Sequence, residues 1–291
     1  MPWVFVLIWS TGFVVARLGM PHAPPLKFLA LRYALSVLCF GVWIRLAGAP
    51  WPRGRAQWLH LSITGILMHA GYLGGVWSAV KAGIGAGTVA LIVGLQPVLT
   101  ALWLTRHAAG GGARRPVAAR VGRAQWLGLA LGLGGLVLVV EGKLGMGEVT
   151  PWNLSLAILA LVSVTTGTLY QKRHVVACDV RTASAIQLGA AFAVSLPFAL
   201  LEPEAMDWQH ELVAAMAWSV LVLTLGGSSL LYLLIQRGAA TAVTSLMYLV
   251  PPCTALMAWA LFGEVFTAPM LVGVALALAG VALVVRAVPK S

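Results

Sequence analysis

The sequence predicts an all-α integral membrane protein whose ten transmembrane helices form two inverted five-helix repeats, with both termini in the cytoplasm. Three observations lead to this fold class: an apolar composition, apolar segments of membrane-crossing length, and an internal repetition. The chain of 291 residues is 60% hydrophobic and only 9% charged. A soluble globular domain carries roughly a quarter charged residues, so this composition is typical of a protein that lies within a membrane.

The apolar segments have about the length that crosses a bilayer. A transmembrane helix needs roughly 17–25 mostly apolar residues, and the breaks in the apolar pattern divide the chain into ten spans. Spans 1 to 10 lie near residues 2–16, 26–44, 57–80, 84–105, 124–140, 152–171, 182–201, 212–235, 238–262 and 268–285.

The distribution of positive charge predicts the orientation. When the span ends are assigned alternately to two sides, fourteen of the 19 Lys and Arg residues share the side of both termini. Four residues lie on the other side, and Arg32 lies within span 2; the four are Arg17, Lys27, Lys81 and Lys143. Lys and Arg concentrate in cytoplasmic loops, which places both termini in the cytoplasm. The net charge of +11 therefore reflects topology, and nucleic acid is not an expected partner.

The second half of the chain repeats the first. The phrase Pro-x-x-Thr-Ala-Leu occurs at residues 97–102 and again at 251–256. A shift of 155 residues places Thr11-Gly12 on Thr166-Gly167, Arg32 on Gln187 and Trp77 on Tyr232. A shift of 145 residues places Gly128 on Gly273 and Gly135 on Gly280.

The change of shift marks an insertion in the first half, the basic and Gly-rich stretch 106–123, which we predict to be an inner loop. The repeats are then residues 1–141 and 151–286, with five spans each. Two successive units with an odd number of spans enter the membrane in opposite senses. Such inverted repeats are the architecture that many secondary transporters use for alternating access.

Prolines stand inside both copies of the repeated phrase. Pro97 in span 4 and Pro251-Pro252 in span 9 predict broken or bent helices near mid-membrane, because proline removes a helical hydrogen bond. The freed carbonyls can face a cavity, and a simple packing kink is the alternative. We favour a role in the central pathway, since the prolines occupy equivalent positions.

Several of these stretches resemble EamA-type members of the drug/metabolite transporter superfamily. The matching stretches are WSTGF (9–13), FLALRYAL (28–35), AGTVALIVGLQPVLTAL (86–102), YLVPPCTALMAWALFGEVF (248–266) and the Gly-rich last span. The resemblance covers nearly the whole chain. It implies a carrier of the inner membrane, often an exporter of amino acids, related metabolites or drugs, and an arginine paired with an aromatic residue at Arg32.

The resemblance also implies a Gly-Glu pair after span 9, which is present as Gly263-Glu264. The first half has Ala109-Gly110 at the corresponding place. Glu264 is therefore expected to lock a helix end, or to act in gating, on one side of the repeat only.

Polar and aromatic side chains within the spans form the predicted substrate site. Polar residues inside a bilayer usually face the protein interior, and a mostly apolar pocket with few hydrogen-bonding groups is typical of a small-molecule site. Arg32 either binds a substrate carboxylate or has a structural or snorkelling role, and His69 either lines a cavity or is a packing residue. The predicted substrate-binding residues are Trp9, Thr11, Arg32, His69, Tyr72, Trp77, Gln96, Thr166, Tyr170, Ser228, Tyr232 and Tyr248.

Some chemistry is missing from the sequence. No Asp or Glu lies near mid-membrane, so a proton-coupled mechanism would depend on His69, and uncoupled facilitation fits equally well. The sequence has no ATP-binding loop, nucleophile elbow or metal-ligand cluster, and we expect no cofactor and no metal.

These features predict a secondary transporter, not an enzyme, that exports small amphipathic metabolites such as amino acids or aromatic compounds by alternating access. The alternatives are an exporter of drug-like compounds in the same fold and, with less support, an intramembrane enzyme or a non-transporting receptor. The expected partners are a small-molecule substrate and the lipid bilayer. Proton coupling and the choice between monomer and homodimer stay open.

Overall fold

The computed structural model describes residues 2–96, 98–100, 103, 123–144, 147–227, 230, 249–264 and 268–286, and in this part of the chain the regular structure is helical. We number the helices so that they follow the predicted spans. They are α1 (Pro2–Gly19), α2 (Pro25–Ala47), α3 (Arg55–Lys81), α4 (Ala86–Val93), α5 (Arg123–Leu144), α6 (Pro151–His174), α7 (Val180–Leu201), α8 (His210–Gly226), α9 (Val250–Phe262) and α10 (Ala268–Arg286).

Four of these helices, α2, α3, α6 and α7, are long and apolar enough to cross a membrane. The others contribute shorter apolar stretches. Large apolar side chains point outward from the bundle, as Leu46 and Leu201 do with about four-fifths of their surface exposed. Such a surface suits contact with lipid. The helical membrane fold is confirmed, whereas the count of ten spans stays a prediction.

Local sequence signals explain several helix ends. Thr150 and Asn153 form a reciprocal capping box at the start of α6, and Pro151 occupies the first turn, where its missing N–H costs nothing. Helices α2 and α9 end at Gly48 and Gly263, which adopt φ of 58° and 65°. Glycine reaches this left-handed conformation without steric penalty. These signals fix where the chain turns back.

Among the described residues, three pairs of helices at equivalent positions in the two halves pack against each other: α5 with α10, α4 with α9 and α2 with α7. A Cβ at Gly273 would lie 2.5 Å from the carbonyl oxygen of Gly135, and one at Gly280 would overlap the carbonyl of Gly128. An early residue of α5 thus faces a late residue of α10, so the two helices run antiparallel. Small residues permit this backbone approach in membranes.

The same antiparallel arrangement holds for the other two of these three packed pairs. In α4 and α9, Gly87 lies against Ala255 and Gly94 against Pro251. In α2 and α7, the start of α2 meets the end of α7, because Glu202 accepts from the backbone N–H of Leu26 at 3.1 Å. Two equivalent helices that pack antiparallel are related by a two-fold rotation about an axis perpendicular to both helices.

Contacts between loops group them at two ends of the bundle. At one end, Glu148 accepts from Gly85 N–H and Glu202 accepts from Lys27 N–H. At the other end, the Gln57 side chain donates to the carbonyl of Val176. Each contact joins loops that the alternating assignment places on the same side. Which end faces the cytoplasm stays a prediction.

We expect Gly75→Ala to destabilise the protein. A Cβ at Gly75 would lie 2.7 Å from the Leu156 carbonyl oxygen and 2.9 Å from Ala160 Cβ, at the contact between α3 and α6. Overpacking of this kind costs about 1–3 kcal/mol, so the thermal unfolding midpoint in detergent should fall. Gly41→Ala is the control, because nothing lies within 4 Å of its Cβ position. Equal midpoints for the two variants would contradict the packing.

Candidate functional site

Two π-helical segments mark the site, one in each half. They are Ile66–Gly71 within α3 and Trp218–Gly226 within α8. The 155-residue shift places the first segment on residues 221–226, inside the second. π-helical turns are rare and occur frequently at functional sites. The same shift places His69 on Thr224, so equivalent positions of α3 and α8 carry these two residues.

Arg32 of α2 reaches Thr224 of α8. Its Nε–H and Nη2–H donate to the Thr224 hydroxyl at 3.4 and 3.2 Å, and the residue is only 7% exposed. The guanidinium carbon lies 6.0 Å from the centroid of the Trp77 ring, at the distance of a weak cation–π contact. Trp77 in turn stacks on Phe28 with centroids 4.4 Å apart. This geometry agrees with the arginine–aromatic pair that the resemblance implied.

His69 of α3 has the corresponding partner in the other half. Its ring lies beside the side chain of Gln187 of α7, the residue that the shift equates with Arg32. The Tyr33 hydroxyl donates to the backbone carbonyl of His69 at 2.9 Å. The hydrogen bond from α2 to α8 and the side-chain contact from α7 to α3 thus occupy equivalent positions, with one charged partner and one neutral one.

A glycine positions Gln187 at this site. Gly65 lies one residue before the π-helical segment of α3, and a Cβ there would overlap the backbone of Gln187. The backbones of α3 and α7 therefore touch at this point, which brings the Gln187 side chain within reach of His69. Tyr72, in the next turn of α3, is half-buried.

Other predicted site residues lie on neighbouring contacts between the halves. The Gln96 side chain donates to the Thr168 hydroxyl of α6 at 2.8 Å. On α1, the Thr11 hydroxyl accepts from the Trp218 indole N–H at 2.9 Å. The Trp9 ring lies 4.0 Å from the position that a Cβ at Gly227 would occupy. These residues join α1 to α8 and the end of span 4 to α6.

Two predicted residues on α6 have other partners. Thr166 is exposed, and its hydroxyl donates to carbonyl oxygens of its own helix. Tyr170 shares a 2.8 Å hydrogen bond with His60 and stacks on His174. His60 precedes His69 by nine residues, or roughly 13 Å along α3. The structure therefore places Tyr170 in a separate aromatic cluster nearer the predicted inner end.

Four predicted residues, Pro97, Ser228, Tyr232 and Tyr248, lie outside the described part of the chain, as does the loop 106–122. Pro251 and Pro252 lie in the first turn of α9, where proline is tolerated. In the described residues these two prolines therefore begin a helix, and the Pro251 ring packs on Gly94.

Glu264 caps the start of α4. Its Oε1 accepts from Ala86 N–H at 3.0 Å, and Glu148 Oε1 accepts from the preceding Gly85 N–H at 2.9 Å. Lys143, only 2% exposed, forms an ion pair with Glu148. Glu264 follows α9, so it ties that helix of the second half to a helix of the first. The structure shows this cap at a helix start, whereas a role of Glu264 in locking or gating transport stays a prediction.

The surroundings of Glu264 favour its protonated form. Burial raises the pKa of this carboxyl, and the charge of Glu148 raises it further. The Ala86 N–H and the charges of Lys143 and Arg17 act in the opposite direction. The other oxygen of Glu264, Oε2, is buried without a hydrogen-bond partner, which agrees with the raised pKa.

The sequence reasoning left several site residues out of the predicted set. They are Tyr33, Lys143, Glu148, Thr168, Gln187 and Thr224. The alignment of Arg32 with Gln187 contained a signal for Gln187. The four-residue spacing of Thr224, Ser228 and Tyr232 in span 8 contained one for Thr224. Among the described residues, no group of three or more His, Cys, Asp or Glu side chains could hold a metal ion.

Comparisons with known proteins identify relatives of this chain. The model of the EamA-like transporter family matches residues 3–105 and 151–286. The chain is 24% identical, over 89% of its length and 80% of the relative's, to the "Uncharacterized inner membrane transporter YedA" of Escherichia coli K12. It is also 24% identical, over 94% of its length and 90% of the relative's, to a "Probable amino-acid metabolite efflux pump" of Salmonella typhimurium.

A solved crystal structure of another protein has the same fold. It superposes with a TM-score of 0.64 at 19% sequence identity, over 97% of this chain and 93% of the other. At this identity the likeness extends to the fold alone.

We expect Glu264→Ala and Glu264→Gln to differ. The alanine variant leaves Ala86 N–H without its acceptor and should lose about 0.5–2 kcal/mol, the usual value of a helix cap. Glutamine keeps an acceptor and removes the buried charge, so it should be at least as stable as wild type at pH 8. Thermal unfolding in detergent measures this, with the exposed Glu141→Gln as control.

The pH dependence gives a second readout for the same variants. Because the folded-state pKa of Glu264 is raised, the folded state binds the proton more tightly than the unfolded state. Wild-type stability relative to Glu264→Gln should therefore be greatest at low pH and should fall as pH rises through the raised pKa. Parallel stability curves for the two proteins between pH 4 and 8 would contradict a buried Glu264 carboxyl.

Proposed function

The chain belongs to the EamA-like transporter family, and from this premise we propose that it exports small amphipathic metabolites, amino acids or related aromatic compounds, across the inner membrane by alternating access. The observation that carries the proposal is the paired site on α3 and α8. Two π-helical segments at equivalent positions place His69 and Thr224 opposite Gln187 and Arg32. A site shared between two equivalent halves is what an alternating carrier needs.

The helix packing supports an inverted repeat. The equivalent helices α2 and α7, α4 and α9, and α5 and α10 each pack as antiparallel pairs. A repeat whose halves entered the membrane in the same sense would make equivalent helices parallel. Antiparallel pairs therefore favour the inverted assignment, with repeats 1–141 and 151–286 and ten spans in all.

Outward opening would have to break polar contacts at the predicted outer end of the bundle. Glu264 joins the end of α9 to the start of α4, and Glu202 joins the end of α7 to the start of α2. Both contacts cross from one half to the other. Rocking of the halves would release them while the paired site stays near the centre of the membrane.

Orientation and location follow from charge and from the relatives. The excess of Lys and Arg on one side supports cytoplasmic termini, and the Escherichia coli relative carries the description of an inner membrane transporter. The substrate class is supported by the description of the Salmonella typhimurium relative as an amino-acid metabolite efflux pump, and by the aromatic side chains around Arg32.

We further propose that transport is uncoupled from protons. His69 lies beside the neutral amide of Gln187 and beside the positive charge of Arg32, with no Asp or Glu close by. A second positive charge there would be repelled. Export would then follow the concentration gradient of the metabolite itself.

Proteoliposomes test this function. We expect saturable counterflow of at least one labelled amphipathic amino acid by purified protein, with the same rate in the presence and absence of a pH gradient. Flux of none of a panel of aromatic and branched-chain amino acids would contradict the proposed substrate class.

Variants of two histidines on α3 test the role of His69. His69→Ala should slow counterflow, because the variant loses the Gln187 contact, whereas His60→Ala in the separate aromatic cluster should not. Acceleration by a pH gradient in wild type that disappears in His69→Ala would contradict uncoupled transport and indicate proton coupling through this residue.

A further inference from the structure

We propose that Arg32 binds the carboxylate of the transported solute, so that this carrier selects small amphipathic molecules with a free carboxylate. The inference rests on the proposed transport function and names the chemical group that its site recognises. It starts from an imbalance of charge: a buried guanidinium for which the chain supplies no carboxylate.

The chain has eight acidic residues, all within the described part of the structure, and none of them contacts Arg32. Three form ion pairs elsewhere, Glu148 with Lys143, Asp179 with Arg181 and Glu204 with Lys81, and two lie near histidine rings, Asp207 near His22 and Glu211 near His210. Glu202 and Glu264 cap helix starts, and Glu141 is exposed on α5.

The hydrogen bonds of Arg32 are also incomplete. A guanidinium has five N–H donors, and here two of them share one acceptor, the Thr224 hydroxyl, at 3.4 and 3.2 Å. A buried charge without a counter-charge destabilises the folded protein. A solute carboxylate, which accepts two parallel N–H bonds from a guanidinium, would supply both the charge and the missing acceptors.

A purely structural role does not require this charge. Gln187 occupies the equivalent position in the second half and joins α7 to α3 through His69 with a neutral side chain. An amide is thus sufficient to join such helices. The charge of Arg32 is the feature that a packing role leaves unexplained.

Snorkelling does not account for Arg32 either. A snorkelling arginine extends its head group to the membrane surface, whereas this guanidinium is bonded to Thr224 and the residue is 7% exposed. Thr224 stands fourteen residues after the first residue of α8, His210, which is about 21 Å along a helix. Arg32 therefore keeps its charge deep in the bundle.

The surroundings favour an amphipathic solute that carries one carboxylate. Trp77 lies against the guanidinium, and the rings of His69 and Tyr72 beside it are only half-buried, which leaves aromatic surface for the apolar part of a solute. The other 18 Lys and Arg residues fall at the ends of the predicted spans or outside the spans. A phosphate dianion would require a second cation here, whereas a carboxylate requires one.

Pairs of acid and amide test the inference. The probes are L-phenylalanine with L-phenylalaninamide and L-leucine with L-leucinamide, in proteoliposome counterflow. We expect wild type to carry each acid at least tenfold faster than its amide. Arg32→Gln, which copies Gln187 and keeps a donor for Thr224, should lose at least tenfold in flux of the acid and none in flux of the amide.

Two further variants complete the set. Arg32→Lys keeps the charge without the bidentate geometry and should recover part of the flux of the acid. Arg45→Gln removes an exposed charge at the other end of α2 and should behave as wild type. Equal flux of acid and amide by wild type, or wild-type flux of the acid by Arg32→Gln, would overturn the carboxylate assignment while leaving transport in place.

Binding in detergent separates this inference from the proposed function. If no probe is transported, the function fails, and the thermal shift produced by millimolar 3-phenylpropionate decides the carboxylate assignment. A shift in wild type that 3-phenylpropionamide does not produce supports the assignment, and its absence overturns it. The wild-type comparison of acid with amide also decides the matter if Arg32→Gln does not fold.

Discussion

Close backbone contact at glycine holds the two halves together. In a bilayer, lipid tails are as apolar as the helices, so association depends on van der Waals contact, hydrogen bonds and small residues. Gly65 lies against Gln187, Gly75 against Leu156 and Gly87 against Ala255, and each contact joins the first half to the second. Each repeat therefore completes its packing against the other, and the site forms where they meet.

The paired site combines common geometry with different chemistry. Helices α2 and α8 meet through Arg32 and Thr224, and helices α7 and α3 meet through Gln187 and His69. Both contacts end on a π-helical segment. One half thus supplies a positive charge and the other a neutral amide. In the proposed transport function, this difference would give a solute with one charged end a defined orientation.

The sequence predicted what depends on composition and repetition. Apolar segment length indicated a membrane protein, and the 155-residue shift paired Arg32 with Gln187 before any contact was known. It did not predict the π-helical segments, because their hydrogen-bond pattern has no residue signature. Tyr170 was assigned to the central site although its partners are His60 and His174. The face that a helix turns to its neighbour depends on the helix crossing, which the sequence of one helix does not contain.

Because residues of the first half contact residues of the second, the order of synthesis along the chain has a consequence for assembly. Leu156, which contacts Gly75, lies about eighty residues later in the chain. Gln187, which contacts Gly65, lies later still. At about 5–20 residues per second, the usual rate of translation, α3 spends roughly 4–16 s or more in the bilayer before its partners emerge from the ribosome. The helices of the first half are therefore in the bilayer before those of the second half can pack against them. Arg32 lacks its partner Thr224 until α8 has been synthesised.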